Sequence, residues 1–151
     1  MARTSANRFS VELDSIMTGF HFYMRFWTPV ENELLFCKED VRIEAKAHDP
    51  NSIGVYTQTE NKLVGHVQRE MAKAFKIFLA SSSSNKIDVL ITGEKKNLGK
   101  KKGLVLPCKY TCISSNIVDR KAIIKDLCKV NDESILTAIT KLPENTEDEV
   151  Q

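Results

Sequence analysis

The sequence predicts a mainly β fold, a small and curled antiparallel β-barrel with one mid-chain helix and a helical appendage near its C-terminal end. Three observations predict it. Apolar residues recur with a period of two in about six short runs between residues 19 and 112. One run, from Arg69 to Leu79, changes to the helical period, and beyond Ile113 the helical period takes over altogether. The chain has 151 residues, 42% of them apolar and 28% charged. That is enough apolar material for one core, which excludes wholesale disorder and a collagen-like repeat.

From Gly19 to Trp27 the residues alternate strictly. Phe20, Phe22, Met24 and Phe26 fall on one side, as a core wall, and His21, Tyr23, Arg25 and Trp27 on the other, where aromatics interleave with cations. This reads as the opening strand, with residues 1–11 as a lead-in. Tyr23 and Trp27 suit base stacking or core packing equally well. After Pro29, the residues Leu35, Cys37, Val41, Ile43 and Ala45 resume period two as far as Lys46, one long or bulged strand.

His48-Asp49-Pro50-Asn51 is a cluster of turn formers, followed by a short strand at Ile53 and Val55 and a hairpin turn at Thr59-Glu60-Asn61. Leu63, Val64 and Val67 return as the next strand. Met71, Ala74, Phe75, Phe78 and Leu79 then fall on one helical stripe, which Ser81 to Asn85 ends. Ile87, Val89 and Ile91 make another strand. Leu104, Leu106, Cys108, Tyr110 and Cys112 make the last, closing a barrel unit of residues 12–113. Ile123, Leu127 and Val130 mark one short helix and Ile135, Ile139 and Leu142 a second, with Asn131 and Asp132 as capping candidates. These form an appendage of residues 114–143, and the acidic stretch 144–151 reads as a disordered tail.

The formal net charge is only +2, but residues 1–113 carry 17 basic and 12 acidic side chains against 5 and 8 in the remainder. The densest charge is Glu94 to Lys102, where Lys95, Lys96, Lys100, Lys101 and Lys102 face a single glutamate. Such a loop is either simply solvated or a contact for a polyanion. The same run is open to reading as a nuclear import signal.

Known catalytic and metal patterns fail. Gly93-x5-Gly99-Lys100-Lys101 has the wrong glycine spacing and no Ser or Thr after its lysine for a phosphate-binding loop. Cys108 and Cys112 would sit about 13 Å apart on a strand, too far to share one zinc ion, and read as core thiols. The histidines His21, His48 and His66 would need the fold to converge them. No metal, cofactor or catalytic residue is expected, and the four cysteines are too few for a disulfide framework. With no apolar run near the ~18 residues of a membrane span and no signal-peptide core, an intracellular chain without membrane contact is expected.

The segment Ala47-His48-Asp49-Pro50-Asn51-Ser52-Ile53-Gly54-Val55, then Val64-Gly65-His66-Val67 and Arg69, resembles the HIRAN domain. That family shows an acidic turn of the form D-x-N-A-I-x-V, then V-G-H-[LV] and a helix. Gly19-Phe20-His21-Phe22-Tyr23 and Gly103-Leu104-Val105-Leu106-Pro107-Cys108 look like its opening and closing strands. The resemblance spans Glu12 to Ile113 and is nearest to stand-alone HIRAN-like proteins of marine invertebrates. It implies an OB-like barrel whose groove captures the 3′ end of single-stranded DNA. By resemblance, Asp49 accepts a hydrogen bond from the terminal 3′-hydroxyl and His66 and Arg69 lie near the phosphates. His21 and Phe22 flank the terminal nucleotide, and His48 stands where an aromatic is common. The chain departs from the repair-protein pattern at Ala47-His48, in place of Pro-Tyr, at Lys46, in place of Asn, and at His21, in place of Arg.

Physical chemistry gives that assignment a rationale. An ionised Asp can only accept, so it welcomes a hydroxyl donor and repels a terminal phosphate. Arg69 adds its charge to the N–H groups and dipole at a helix start. Against this, Asp49 also suits a purely local turn, and His66 an ordinary strand position. Two functional classes remain: a non-catalytic module holding single-stranded DNA at its 3′-hydroxyl, and an OB-like protein-interaction or structural module, with the C-terminal helices as the surface for a protein partner. A hydrolase ranks behind both, because no nucleotide-binding motif occurs.

Overall fold

A computed structural model describes residues 8–24, 27–99, 103–130 and 135, with backbone alone for 21 and 22. The strands are β1 (Phe9–Thr18), β2 (Leu34–Glu39), β3 (Ile53–Thr57), β4 (Leu63–Val67), β5 (Lys86–Ile91), β6 (Lys96–Asn97) and β7 (Leu104–Ser114). The helices are α1 (Ile43–His48), α2 (Arg69–Ser81) and α3 (Ile117–Cys128), and a 3-10 turn spans Phe20–Tyr23. Strand order is β1-β4-β3-β2-β5-β7, and β7 returns to β1, so six antiparallel strands close into a barrel. Closure removes the open edges that would otherwise template aggregation. β6 is a short addition that pairs with the start of β7, past the end of its ladder with β5.

The period-two residues point inward as their spacing requires. Val11, Leu13, Leu35, Cys37, Ile53, Val55, Ile87, Val89, Leu106, Cys108, Tyr110 and Cys112 are all buried in one core. α2 lays Met71, Phe75 and Phe78 on that core, with the Phe75 ring edge-on to Tyr110 at 5.2 Å. The Tyr110 hydroxyl donates to the Ile16 carbonyl at 2.7 Å, so the one polar atom of this buried ring is satisfied. Burial pushes the Cys108 thiol up to about 12 and raises Cys112 still further, so both are inert core groups. α3 adds Ile123 and Leu127 to the core, and its Arg120 Nε donates to the Ser10 carbonyl of β1 at 2.9 Å. Asn116 caps α3 by accepting from the Val118 N–H. Ile135 is buried too, whereas Ile139, Leu142, the caps Asn131 and Asp132 and the acidic tail lie outside the described residues.

Two strand expectations are corrected. Gly19–Trp27 does not open the barrel; β1 does, starting at Phe9 within the stretch read as a lead-in and paired with β7 along its whole length. The period-two signal of β1, at Phe9, Val11, Leu13 and Met17, is present in the sequence. Gly19 adopts φ +73°, a left-handed conformation that turns the chain out of the ladder into the 3-10 turn. Phe20 is buried as expected, but Met24 is 41% exposed rather than in the core. Trp27 is buried with its indole N–H donating to Glu33, which favours core packing over base stacking.

The second correction concerns residues 34–46. β2 stops at Glu39, and Val41 and Ile43 are 73% and 86% exposed. The Asp40 carboxylate accepts from the Arg42 backbone N–H at 3.2 Å and from its guanidinium, folding the chain back into α1. Local capture of a backbone donor by an Asp outweighs the β-propensity of Val41 and Ile43.

Candidate nucleic-acid interface

The end of β1, the 3-10 turn, α1, the end of β4 and the start of α2 enclose a cleft of about 380 Å³. Tyr23, Arg42, His48, Asp49, His66 and Arg69 line it. Five of these are expected site residues, contributed by four separate segments of the chain. The side chains of His21 and Phe22 and all of Lys100, Lys101 and Lys102 lie outside the described residues.

Asp49 ends α1. Its backbone N–H donates to the Ala45 carbonyl at 2.9 Å, and its Oδ1 accepts from the Asn51 N–H at 2.9 Å, holding the Asp-Pro-Asn turn. The local turn role and the cleft position therefore coexist: Oδ1 is used in the turn, while no described residue donates to Oδ2. Lys46 and Lys76 brace the same loop from behind, each donating to the Pro50 carbonyl, and Lys46 also pairs with Glu39.

His66 sits on β4 opposite Gly54 of β3 and Thr18 of β1. Its Nε2 lies 2.7 Å from Asp40 Oδ2. An ionised carboxylate has no proton to give, so Nε2 carries the hydrogen and Nδ1 is turned towards Gly19, where a Cβ would lie 3.7 Å away. The neighbouring Gly65 explains the glycine of the V-G-H-V motif. A Cβ there would come within 2.3 Å of the buried Met17 Cε and 3.1 Å of the Thr18 carbonyl oxygen. Glycine here lets β1 approach β4 closely where Gly19 comes beside His66.

Beneath His66 lies a group that the sequence reading missed. Asp40 is fully buried, and its two oxygens accept from Arg42 Nε and Nη2, both at 2.9 Å, and from His66. Burial opposes its charge, but the hydrogen bonds from Arg42 and His66 outweigh that and hold the carboxyl at about 2. The same pairing raises Arg42, with Tyr23 as a further contributor. Arg42 remains 42% exposed, so one side of its guanidinium faces the cleft and solvent. The signal for this pair was the Asp-x-Arg spacing at Asp40 and Arg42, hidden inside an apparent strand pattern.

Arg69, exposed at the first turn of α2, adds its charge to the positive end of the helix dipole. Gln68 is buried behind it and donates to Ser15 Oγ at 3.0 Å, which fixes the helix start against β1. The lining holds Arg42 and Arg69 against Glu44 and Asp49, with the buried Asp40 behind them. The cleft is thus close to charge balance rather than a basic trough.

Cations lie nearby. The ladder runs from His66 to Thr18, then Val105, then Lys96, three inter-strand steps or about 14 Å. Lys95 and Lys96 are exposed on this hairpin, at the same end of the barrel as the cleft. Among the described residues no helix is long and apolar enough to cross a membrane.

The family model of the HIRAN domain matches residues 17–112, from the end of β1 through β7 and including every described residue of the cleft. No curated protein matches the chain. With almost two thirds of its length matched, the barrel closed and the two motif segments facing one cleft, the chain belongs to the HIRAN family of DNA-binding domains.

Proposed function

We propose that the cleft captures the 3′-hydroxyl end of single-stranded DNA and does so by binding alone, without a chemical step. The observation that carries this reading is the meeting of Asp49, His66 and Arg69 around one cleft of about 380 Å³. A terminal hydroxyl donates to Asp49 Oδ2, the adjacent phosphate takes Arg69 at the positive end of α2, and Tyr23 offers a ring to the terminal nucleotide. A 3′-phosphate brings a second anion against Asp49 and is rejected. The lysine hairpin supplies long-range attraction that the near-balanced cleft lacks, and an intracellular setting belongs to the same reading.

The test is fluorescence anisotropy with labelled oligonucleotides ending in a 3′-hydroxyl or a 3′-phosphate. The intact chain should prefer the hydroxyl by about tenfold or more, the value of one charge-assisted hydrogen bond. Asp49→Ala should abolish that preference. An equal response to both ends in the intact chain rejects the reading.

A protein-docking role has its own observation in its favour. Val41 and Ile43, on either side of the cleft residue Arg42, expose apolar side chains, and α1 buries none of its residues. Retention of all DNA binding after Val41→Ser with Ile43→Ser would be compatible with that role, whereas loss would tie the rim to DNA.

A further inference from the structure

The outer face of β2, β3 and β5 carries a second feature, separate from the cleft. Phe36 and Tyr56 face each other across β2 and β3 with ring centroids 5.8 Å apart and planes 28° apart. Lys38 Nζ lies 4.5 Å from the centre of the Tyr56 ring and 6.0 Å from that of Phe36. Beside them runs an open groove of about 660 Å³ that includes Phe36, Lys38, Gln58, Asn61 and Lys86. Asp88 is the acid in that lining, facing two lysines. Leu34, at the far end, is 48% exposed.

This groove lies near the cleft on the same sheet. His66 pairs with Gly54, and Gly54 pairs with Lys38, so two inter-strand steps, about 10 Å, separate the cleft histidine from the lysine. Gly54 is what makes the crossing low. A Cβ there would come 2.8 Å from Tyr56 Cε1 and 3.0 Å from its hydroxyl, so the ring lies flat across the strand. Burial raises the Tyr56 phenol, and the Asp40 charge raises it further, which ties this ring electrostatically to the floor of the cleft.

We propose that the Phe36–Lys38–Tyr56 face and its groove form a track for the nucleotides that precede the terminal one, with a base stacked on Phe36 and phosphates met by Lys38 and Lys86. The inference rests on end capture in the cleft and extends it. Stacking suits any base, and two lysines flanking an aromatic are complementary to a polyanionic single strand. The amide groups of Gln58 and Asn61 at the edge offer donors and acceptors to base edges.

The experiment uses the full chain and a series from dinucleotide to hexanucleotide, each with a free 3′-hydroxyl or a 3′-phosphate. The variants are Phe36→Ser and, as one that leaves the ring pair in place, Lys38→Glu. Circular dichroism melts confirm that each is folded. Affinity should rise with length in the intact chain, and each variant should lose roughly tenfold on the hexanucleotide while the dinucleotide and its hydroxyl preference are unaffected. A fluorescent 2-aminopurine placed upstream of the terminal base should be quenched by the intact chain and not by Phe36→Ser.

Unchanged hexanucleotide affinity in both variants, with the hydroxyl preference intact, overturns the track and leaves end capture standing. A length gain that depends on Phe36 without any hydroxyl preference supports the track and removes end capture. No binding of any oligonucleotide overturns both.

Discussion

His66 Nε2 and Asp40 Oδ2 stand 2.7 Å apart, and this contact joins the cleft to the buried carboxylate that follows β2. Asp40 thereby fixes the ring of one cleft residue and the guanidinium of another, Arg42. Replacing Asp40 with Ala leaves both donors without their acceptor. The expected cost is about 2 kcal/mol of stability, read from urea unfolding, together with weaker DNA binding. Asp40→Asn should retain more stability than Asp40→Ala because the amide oxygen still accepts.

The acid limb of stability should carry the same signature. The Asp40 carboxyl is held at about 2 in the folded chain, below its usual 3.8, so the unfolded chain binds its proton first as pH falls. Its contribution is therefore fully present above pH ~4 and lost between about 4 and 2. The shift corresponds to about 2 kcal/mol, trimmed towards 1 by the solvent around Arg42. Urea midpoints of the intact chain and Asp40→Asn should stay apart above pH ~4 and converge below it. A constant gap down to pH ~2 would deny Asp40 this role.

Gly65→Ala should destabilise the barrel where β1 and β4 meet. The added methyl meets the end of the packed Met17 side chain and the Thr18 carbonyl oxygen, and the backbone oxygen cannot swing aside. A loss of about 1–3 kcal/mol is expected in thermal or urea melts. The shift of Thr18 away from His66 should also weaken binding of the 3′-hydroxyl end.

Salt dependence reports the lysine hairpin. If about four lysines meet phosphates, log affinity should fall with log salt with a slope near −3, at ~0.7 per single-strand contact. Lys95→Ala with Lys96→Ala should flatten the slope by about 1.4 without changing the preference between 3′ ends. A slope untouched by the pair would remove the hairpin from the interface.

At the far end of the barrel, Arg120 ties α3 to β1 through the Ser10 carbonyl, and Asn116 caps the same helix. Asn116→Ala should cost about 1 kcal/mol in a thermal melt. DNA binding should be unaffected, because α3 lies outside the lining of the cleft.

Much of this protein was legible before any fold was built. Strands β3, β4, β5 and β7 and the start of α2 follow from apolar period and turn chemistry, because side-chain alternation and helical stripes are local properties of the chain. The motif residues His48, Asp49, His66 and Arg69 were equally visible, since their spacing lies in the sequence. Tertiary structure alone decided how these pieces meet. The alternating aromatics after Gly19 became a 3-10 turn because β1 had already filled the gap between β4 and β7. The apparent strand at Val41 and Ile43 became an exposed turn into α1 because Asp40 found partners in Arg42 and His66, the latter 26 residues away. Period and propensity report what each segment prefers alone, whereas long-range pairing determines which preferences are met.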